Sequence, residues 1–234
     1  MDDEKNVQQK SYRKVIDYIK EQIRAGNLEI GGKLPAEREL SNLLGISRNS
    51  VREAIRTLDI MGVIVSQHGA GNYLTGNFEH NLVETMSMMF FLNQIDYQQI
   101  SQLRRALEMQ ALILAIDNIT VPEIELLERT IAKLEKEAEE INVILDKQLH
   151  YGIAKASKNT LVISILNALS EVIDQFIYDL RRDILSTEDS RKILNEAHDE
   201  MLKSLITKDK NLAFSAINKH FDIVDIKLKE KQRF

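Results

Sequence analysis

At 234 residues, 44% hydrophobic and 29% charged, the chain has the composition of an ordinary water-soluble protein of one large or two modest domains. It has no window near the ~18 consecutive apolar residues of a membrane span, no secretory signal in its acidic start, and no cysteine for disulfides, thiolate metal sites or nucleophiles. A cytoplasmic protein without a membrane partner is expected, and since the net charge is −5, any basic surface must be local.

In chain order, Val15, Ile16, Ile19 and Ile23 recur at helical spacing and stop before Gly26, a C-cap candidate. After the turn LEIGGKLP, Pro35 marks a second helix start, with Leu40, Leu43 and Leu44 expected inward. Gly45 makes a tight turn, and Ser47 is the N-cap candidate of a third helix whose stripe is Val51, Ala54, Ile55 and Leu58. Two short extended runs, VIVSQ and NYLT, flank HGAG and predict a β-hairpin. Three helices and a terminal hairpin describe a winged helix-turn-helix. Residues 10–76 hold ten basic and seven acidic side chains, a local charge of +3 in an acidic chain.

In such a motif the first residues of the last helix enter the major groove. Arg48, Asn49 and Ser50 directly follow the N-cap Ser47, at a helix end that favours phosphate. Arginine can take guanine O6 and N7, and asparagine adenine N6 and N7. Arg56 lies too far along the helix to reach bases. Arg48, Arg52 and Arg56 alone would also suit a solvated, salt-bridged face.

The stretch GGKLPAERELSNLLGISRNSVREAIRTLDIMGVIVSQHGAGNYL resembles, without gaps, the N-terminal domain of the GntR family of bacterial transcription regulators. That resemblance implies DNA contacts for Arg52 and Arg38, and an approach of the wing tip, His68 and Gly69, to the minor groove. Ala36 stands where a serine is common in the family. Asn49-Ser50 is a variant start of the recognition helix, which bears on the operator read.

Eight of the nine glycines lie at or before Gly76, after which almost everything reads as helix. The expected division is residues 1–76 for DNA binding, 77–97 for a connecting helix, and 98–234 for an all-α antiparallel bundle that also dimerises. Leu82, Val83, Met86, Met89 and Phe90 form one stripe, and Ile100, Leu103, Leu107, Ala111 and Leu114 the next. Thr120 with Glu123 suggests a capping box. Further helices are expected near 123–138, 142–157, 160–184, 188–207 and 209–230, with Thr187 and Asp209 as N-caps.

Asp146 and His150, four apart, share a helix face; His198 lies on the face of Leu194, Met201 and Leu205, and His220 between Ile217 and Val224. Each falls on a side expected to be buried, where a lone polar group is costly. Histidines bonded to backbone or to each other are the commoner solution. One carboxylate and three imidazoles from three helices also suit a divalent ion such as zinc, nickel, manganese or iron.

Residues 98–228 resemble the helical ligand-binding domain of the FadR subgroup of that family, through RRALE, D-x-x-x-H with Asn159, and two late histidines 22 apart. The resemblance implies a metal held by Asp146, His150, His198 and His220, and argues against an acyl-CoA ligand. It also implies an effector carboxylate at Arg104, with Arg105 the substitute if the register is one off. From spacing alone, Arg104 and Glu108 read as a surface ion pair of little energetic weight.

These readings lead to a dimeric, ligand-responsive regulator, a repressor and not an enzyme, with two winged heads on a pseudo-palindromic operator. Its effector is a small organic acid at the metal. The rivals are a metalloregulator sensing the ion itself, and a metal-dependent enzyme fused to a DNA-binding domain.

Overall fold

The computed structural model describes residues 2–76, 78–134 and 139–231. Among them are eleven helices and one two-stranded sheet, and no single helix is long and apolar enough to cross a membrane. The chain divides into two compact units, Met1–Leu82 and Val83–Phe234.

The first unit packs α1 (Asp2–Arg24), α2 (Glu37–Leu44) and α3 (Arg48–Ile60) around Val15, Ile19, Leu40, Val51, Ile55 and Leu58, all buried. Gly45 ends α2 at φ 61°, a left-handed conformation that glycine adopts without strain, and this sets the tight turn into α3. Strands β1 (Ile64–Gln67) and β2 (Gly71–Leu74) pair antiparallel, with Gln67 opposite Gly71.

The segment read as a turn, LEIGGKLP, also takes part in the wing. Backbone bonds from Gly31 to Leu74 and from Leu34 to Asn72, both 2.8 Å, lay it along β2. Leu43, expected inward, is 61% exposed, because the eight-residue α2 turns a single face, centred on Leu40, to the core.

The second unit consists of α4 (Glu79–Asn93, which begins just before the boundary), α5 (Tyr97–Asn118), α6 (Val121–Leu134), α7 (Glu139–Ala156), α8 (Thr160–Val172), α9 (Asp174–Leu185), α10 (Glu188–Thr207) and α11 (Lys210–Lys231). Its main core joins Leu112, Ile116, Leu149, Met201, Ile217 and Phe221. The range 160–184, one helix by periodicity, is two helices that meet at Ile173, where φ −112° and ψ 16° leave the helical region. The predicted helix end at 135–138 lies outside the described residues.

Asp209 caps α11 by accepting from the backbone of Asn211 and Leu212. Thr187 occupies the N-cap position of α10 without a side-chain bond. At Thr120, Glu123 accepts from both the backbone N–H and the hydroxyl, one half of a capping box. On α4 only Met86 of the expected stripe is buried; Met89 is 44% exposed.

Candidate functional site

The end of α3 that faces solvent is built by its own cap. Ser47 Oγ accepts from the Ser50 backbone N–H at 3.1 Å and lies 3.0 Å from Ser50 Oγ. This satisfies one of the orphan donors of the first turn and fixes where the next side chains emerge. Arg48, Asn49 and Arg52 are exposed, and so is Arg38 on α2. Arg52 Nε donates to Glu37 Oε2 at 3.2 Å, an exposed ion pair between α3 and α2. His68 and Gly69 are exposed in the β1–β2 turn, where Gly69 has φ 74°.

The helical unit does the opposite with its polar residues. α7 contributes Asp146 and His150, α10 His198 and α11 His220, with ring centroids 4.7–5.5 Å apart. One nitrogen from each ring can be chosen so that all three lie within 4.8 Å of one another. Asp146 Oδ1 sits beside them, 3.3 Å from His198 Nε2 and 3.6 Å from His150 Nε2.

Of these atoms, the nitrogens have no hydrogen-bond partner, and the carboxylate oxygen has only an ion pair, with Arg181. Asp146 Oδ1, His150 Nε2, both His198 nitrogens and His220 Nδ1 are buried without a hydrogen-bond partner. Each such orphan costs on the order of 1–3 kcal/mol, so a cluster of them calls for a ligand. Three imidazole nitrogens and a carboxylate oxygen form the donor set that a borderline divalent metal prefers. By that test the residues fit a metal.

Around the four lies a charged layer that sequence spacing did not identify. Glu108 is 5% exposed, and its Oε2 lies 2.7 Å from His150 Nδ1, which turns Nε2 of that ring toward the cluster. Arg104 grips the other oxygen of Glu108 through Nε at 3.0 Å and Nη2 at 2.7 Å. The Arg104–Glu108 pair is therefore interior and not the surface pair that i, i+4 spacing suggested.

Of the expected stripe on α5, Ile100 and Ala111 are buried and Leu107 and Leu114 partly so, but Leu103 is not. Leu103 is 45% exposed, and the buried face runs through Ser101, Glu108, Leu112 and Ala115. Arg105 is committed to α11 through Asn218, Asp222 and Asp225. Arg104 is thus the arginine linked to the cluster. Opposite Glu108, Arg181 from α9 places Nη1 3.2 Å from Asp146 Oδ1.

These contacts shift the protonation of the cluster in different directions. Burial disfavours a charged His150, but Glu108 and Asp146 outweigh it and hold the imidazole up to about 9. His198 is pushed down to about 3, chiefly by burial. His220 falls well below its usual range, through burial and then the neighbouring His150. Burial opposes ionisation of Glu108, yet Arg104 and His150 bring its carboxyl down to about 2. Asp146 is likewise held low against burial, first by Arg181.

Two protein-family models match the chain: bacterial regulatory proteins of the gntR family over residues 11–74, and the FCD domain over residues 99–223. The chain belongs to the GntR family, and its helical unit carries an FCD domain. As a GntR/FCD protein it is a transcription regulator with a DNA-binding winged domain. The GntR chain is similar to the HTH-type transcriptional regulator LutR of Bacillus subtilis, 27% identical over 207 residues, which cover 87% of this chain and 94% of that protein. It is also similar to the Exu regulon transcriptional regulator of Escherichia coli, 28% identical over 221 residues, 93% of this chain and 84% of that one. Among solved structures, a GntR protein of Streptococcus agalactiae shares the fold with a TM-score of 0.65 at 23% identity, covering 93% of this chain and 98% of that one.

Proposed function

We propose that this GntR regulator is a dimeric repressor whose winged heads bind a pseudo-palindromic operator and whose helical units sense a small organic acid at a divalent metal. The observation that carries the sensing half is the set of buried imidazole nitrogens without hydrogen-bond partners on His150, His198 and His220, gathered beside the Asp146 carboxylate. These four residues would hold the ion, which supplies an electrophilic centre with positions open to an acid. Glu108 fixes the ring of His150, and Arg104 brings a guanidinium suited to a carboxylate into the same buried layer.

Arg48, Asn49 and Ser50, at the capped start of α3, would read bases, with Ser47, Arg52, Arg38, His68 and Gly69 as further DNA contacts. A single short recognition helix offers few base contacts, which favours two heads on two half-sites. Effector binding acts through its difference in affinity between DNA-bound and free arrangements.

Metal content by elemental mass spectrometry on untagged protein, wild type beside His198→Ala, tests the sensing half. Near-stoichiometric metal in the wild type and its loss in the variant is expected. Two folded, metal-free proteins would refute the metal site and leave DNA binding untouched. Operator affinity that follows metal concentration with no organic acid present would favour direct metal sensing.

A further inference from the structure

Arg181 is 3% exposed, which is rare for an arginine, and no feature of DNA reading or effector capture described above uses it. Its Nη2 donates to Asn142 Oδ1 at 3.0 Å, its Nη1 lies 3.2 Å from Asp146 Oδ1, and its Nε is buried without a partner. The Asp146 oxygen it approaches is the same one that lies 3.3 Å from His198 Nε2 and 3.6 Å from His150 Nε2. One buried carboxylate oxygen is therefore the point on which a permanent cation and the candidate metal ligands converge. The other buried carboxylate, Glu108, is already taken by Arg104 and His150.

We propose that Arg181 is an internal counter-cation that neutralises Asp146 when the site is empty and competes with a divalent metal for it, so that this arginine sets the metal affinity. The inference rests on the metal reading of the four-residue cluster. A guanidinium stays charged at any working pH, so it cannot step aside by losing a proton. Two cations a few ångströms apart in a water-poor interior repel strongly.

Both consequences of removing the charge have the same sign. Without Arg181 the empty site keeps a buried carboxylate that has lost its permanent counter-charge, which destabilises the metal-free protein. The occupied site meanwhile loses a repulsion. Metal binding should therefore tighten. A residue that only held Asp146 in position would give the opposite result.

The experiment uses the full chain as wild type, Arg181→Met, Arg181→Lys and Arg181→Gln, the last able to donate to Asp146 without charge. Zn2+ affinity is read by competition with a chromophoric chelator, and melting is followed in EDTA and in Zn2+. Arg181→Met and Arg181→Gln should bind Zn2+ tighter than wild type by roughly tenfold or more, with a larger Zn2+-induced rise in Tm. Arg181→Lys, which keeps the charge, should stay near wild type. If Arg181→Met does not fold, Arg181→Gln carries the comparison. Wild type that binds Zn2+ beside a Met or Gln variant that binds equally or more weakly would overturn the proposal and leave the metal site standing. Equal tightening in Arg181→Lys would also overturn it, since charge would not be the cause. Zn2+ binding by none of the four proteins would overturn both the proposal and the metal reading.

Discussion

The two units of this chain differ in where their candidate functional charges lie, in solvent in the first and in the interior in the second. In the first unit the fully buried cluster is aliphatic, with Tyr12 and Tyr18 packed against it, and Arg38, Arg48 and Arg52 stand in solvent. In the second unit Arg104, Glu108, Asp146, Arg181 and three histidines share one interior site, most of them less than a tenth exposed. Under the proposed function, the contrast follows from what each unit would engage. A DNA duplex is met at the surface, where an arginine waits in water at little energetic cost. A small molecule or ion is enclosed, and a polar group that awaits it must be held in low dielectric by other charges. Substitutions in the second unit should therefore affect stability first, and those in the first unit specificity first.

The largest effect is expected at Glu108→Ala, which removes a buried carboxylate that pairs with two largely enclosed groups, Arg104 and His150. A loss on the order of 3–5 kcal/mol is expected from unpairing an interior charge, measured by denaturant unfolding of the metal-free protein. A cost below about 1 kcal/mol, the range of a surface pair, would show that Glu108 is solvated.

The pH dependence of metal-free protein comes next, and its two limbs have different owners. His150 is held up to about 9, so its contribution is complete below its ordinary 6.5 and is lost as pH rises from there to about 9. His198, pushed down to about 3, and His220, also held low, stabilise as neutral rings above 6.5 and lose that contribution as pH falls below it. Thermal melts of EDTA-treated protein should peak in stability near pH 6.5 and decline on both sides. His150→Gln should flatten the alkaline limb and spare the acid one; an unchanged alkaline limb would assign it to other groups.

On the first unit, Arg48→Ala should leave melting unaffected and lower discrimination between operator and random DNA by ~1–3 kcal/mol. Equal weakening on both DNAs would make Arg48 a phosphate contact. The smallest effect is expected at Glu37→Ala. Its pairing with Arg52 is exposed, so stability should change by only about 0.2–1 kcal/mol, and DNA binding should strengthen slightly because Arg52 is released. Weaker DNA binding would mean that Glu37 positions Arg52 for its contact.

The winged unit was legible because its signals are local. Gly45 marks the turn, Ser47 the cap, and HGAG the hairpin between two extended runs, each within a few residues of the element it ends. The four candidate metal residues were also visible as histidines and an aspartate on helix faces expected to be buried. Their charged surroundings were not. Glu108 was missed because a charged residue is not counted in an apolar stripe, although it lies on the same buried side of α5 as Ile100 and Ala111; Leu103, counted inside, is outside.

Arg181 was hidden by a break with no punctuation. Neither proline nor glycine interrupts ALSEVIDQFIYDL, and the periodicity reads straight through Ile173. The two kinds of unit, the capped third helix and the histidine set could be read from the sequence, because helix periodicity, caps and turns depend on neighbours along the chain. Only the tertiary structure decided which charged groups meet. Contacts between α5, α7, α9 and α11 join residues tens of positions apart, and their partners are chosen by the packing of whole helices.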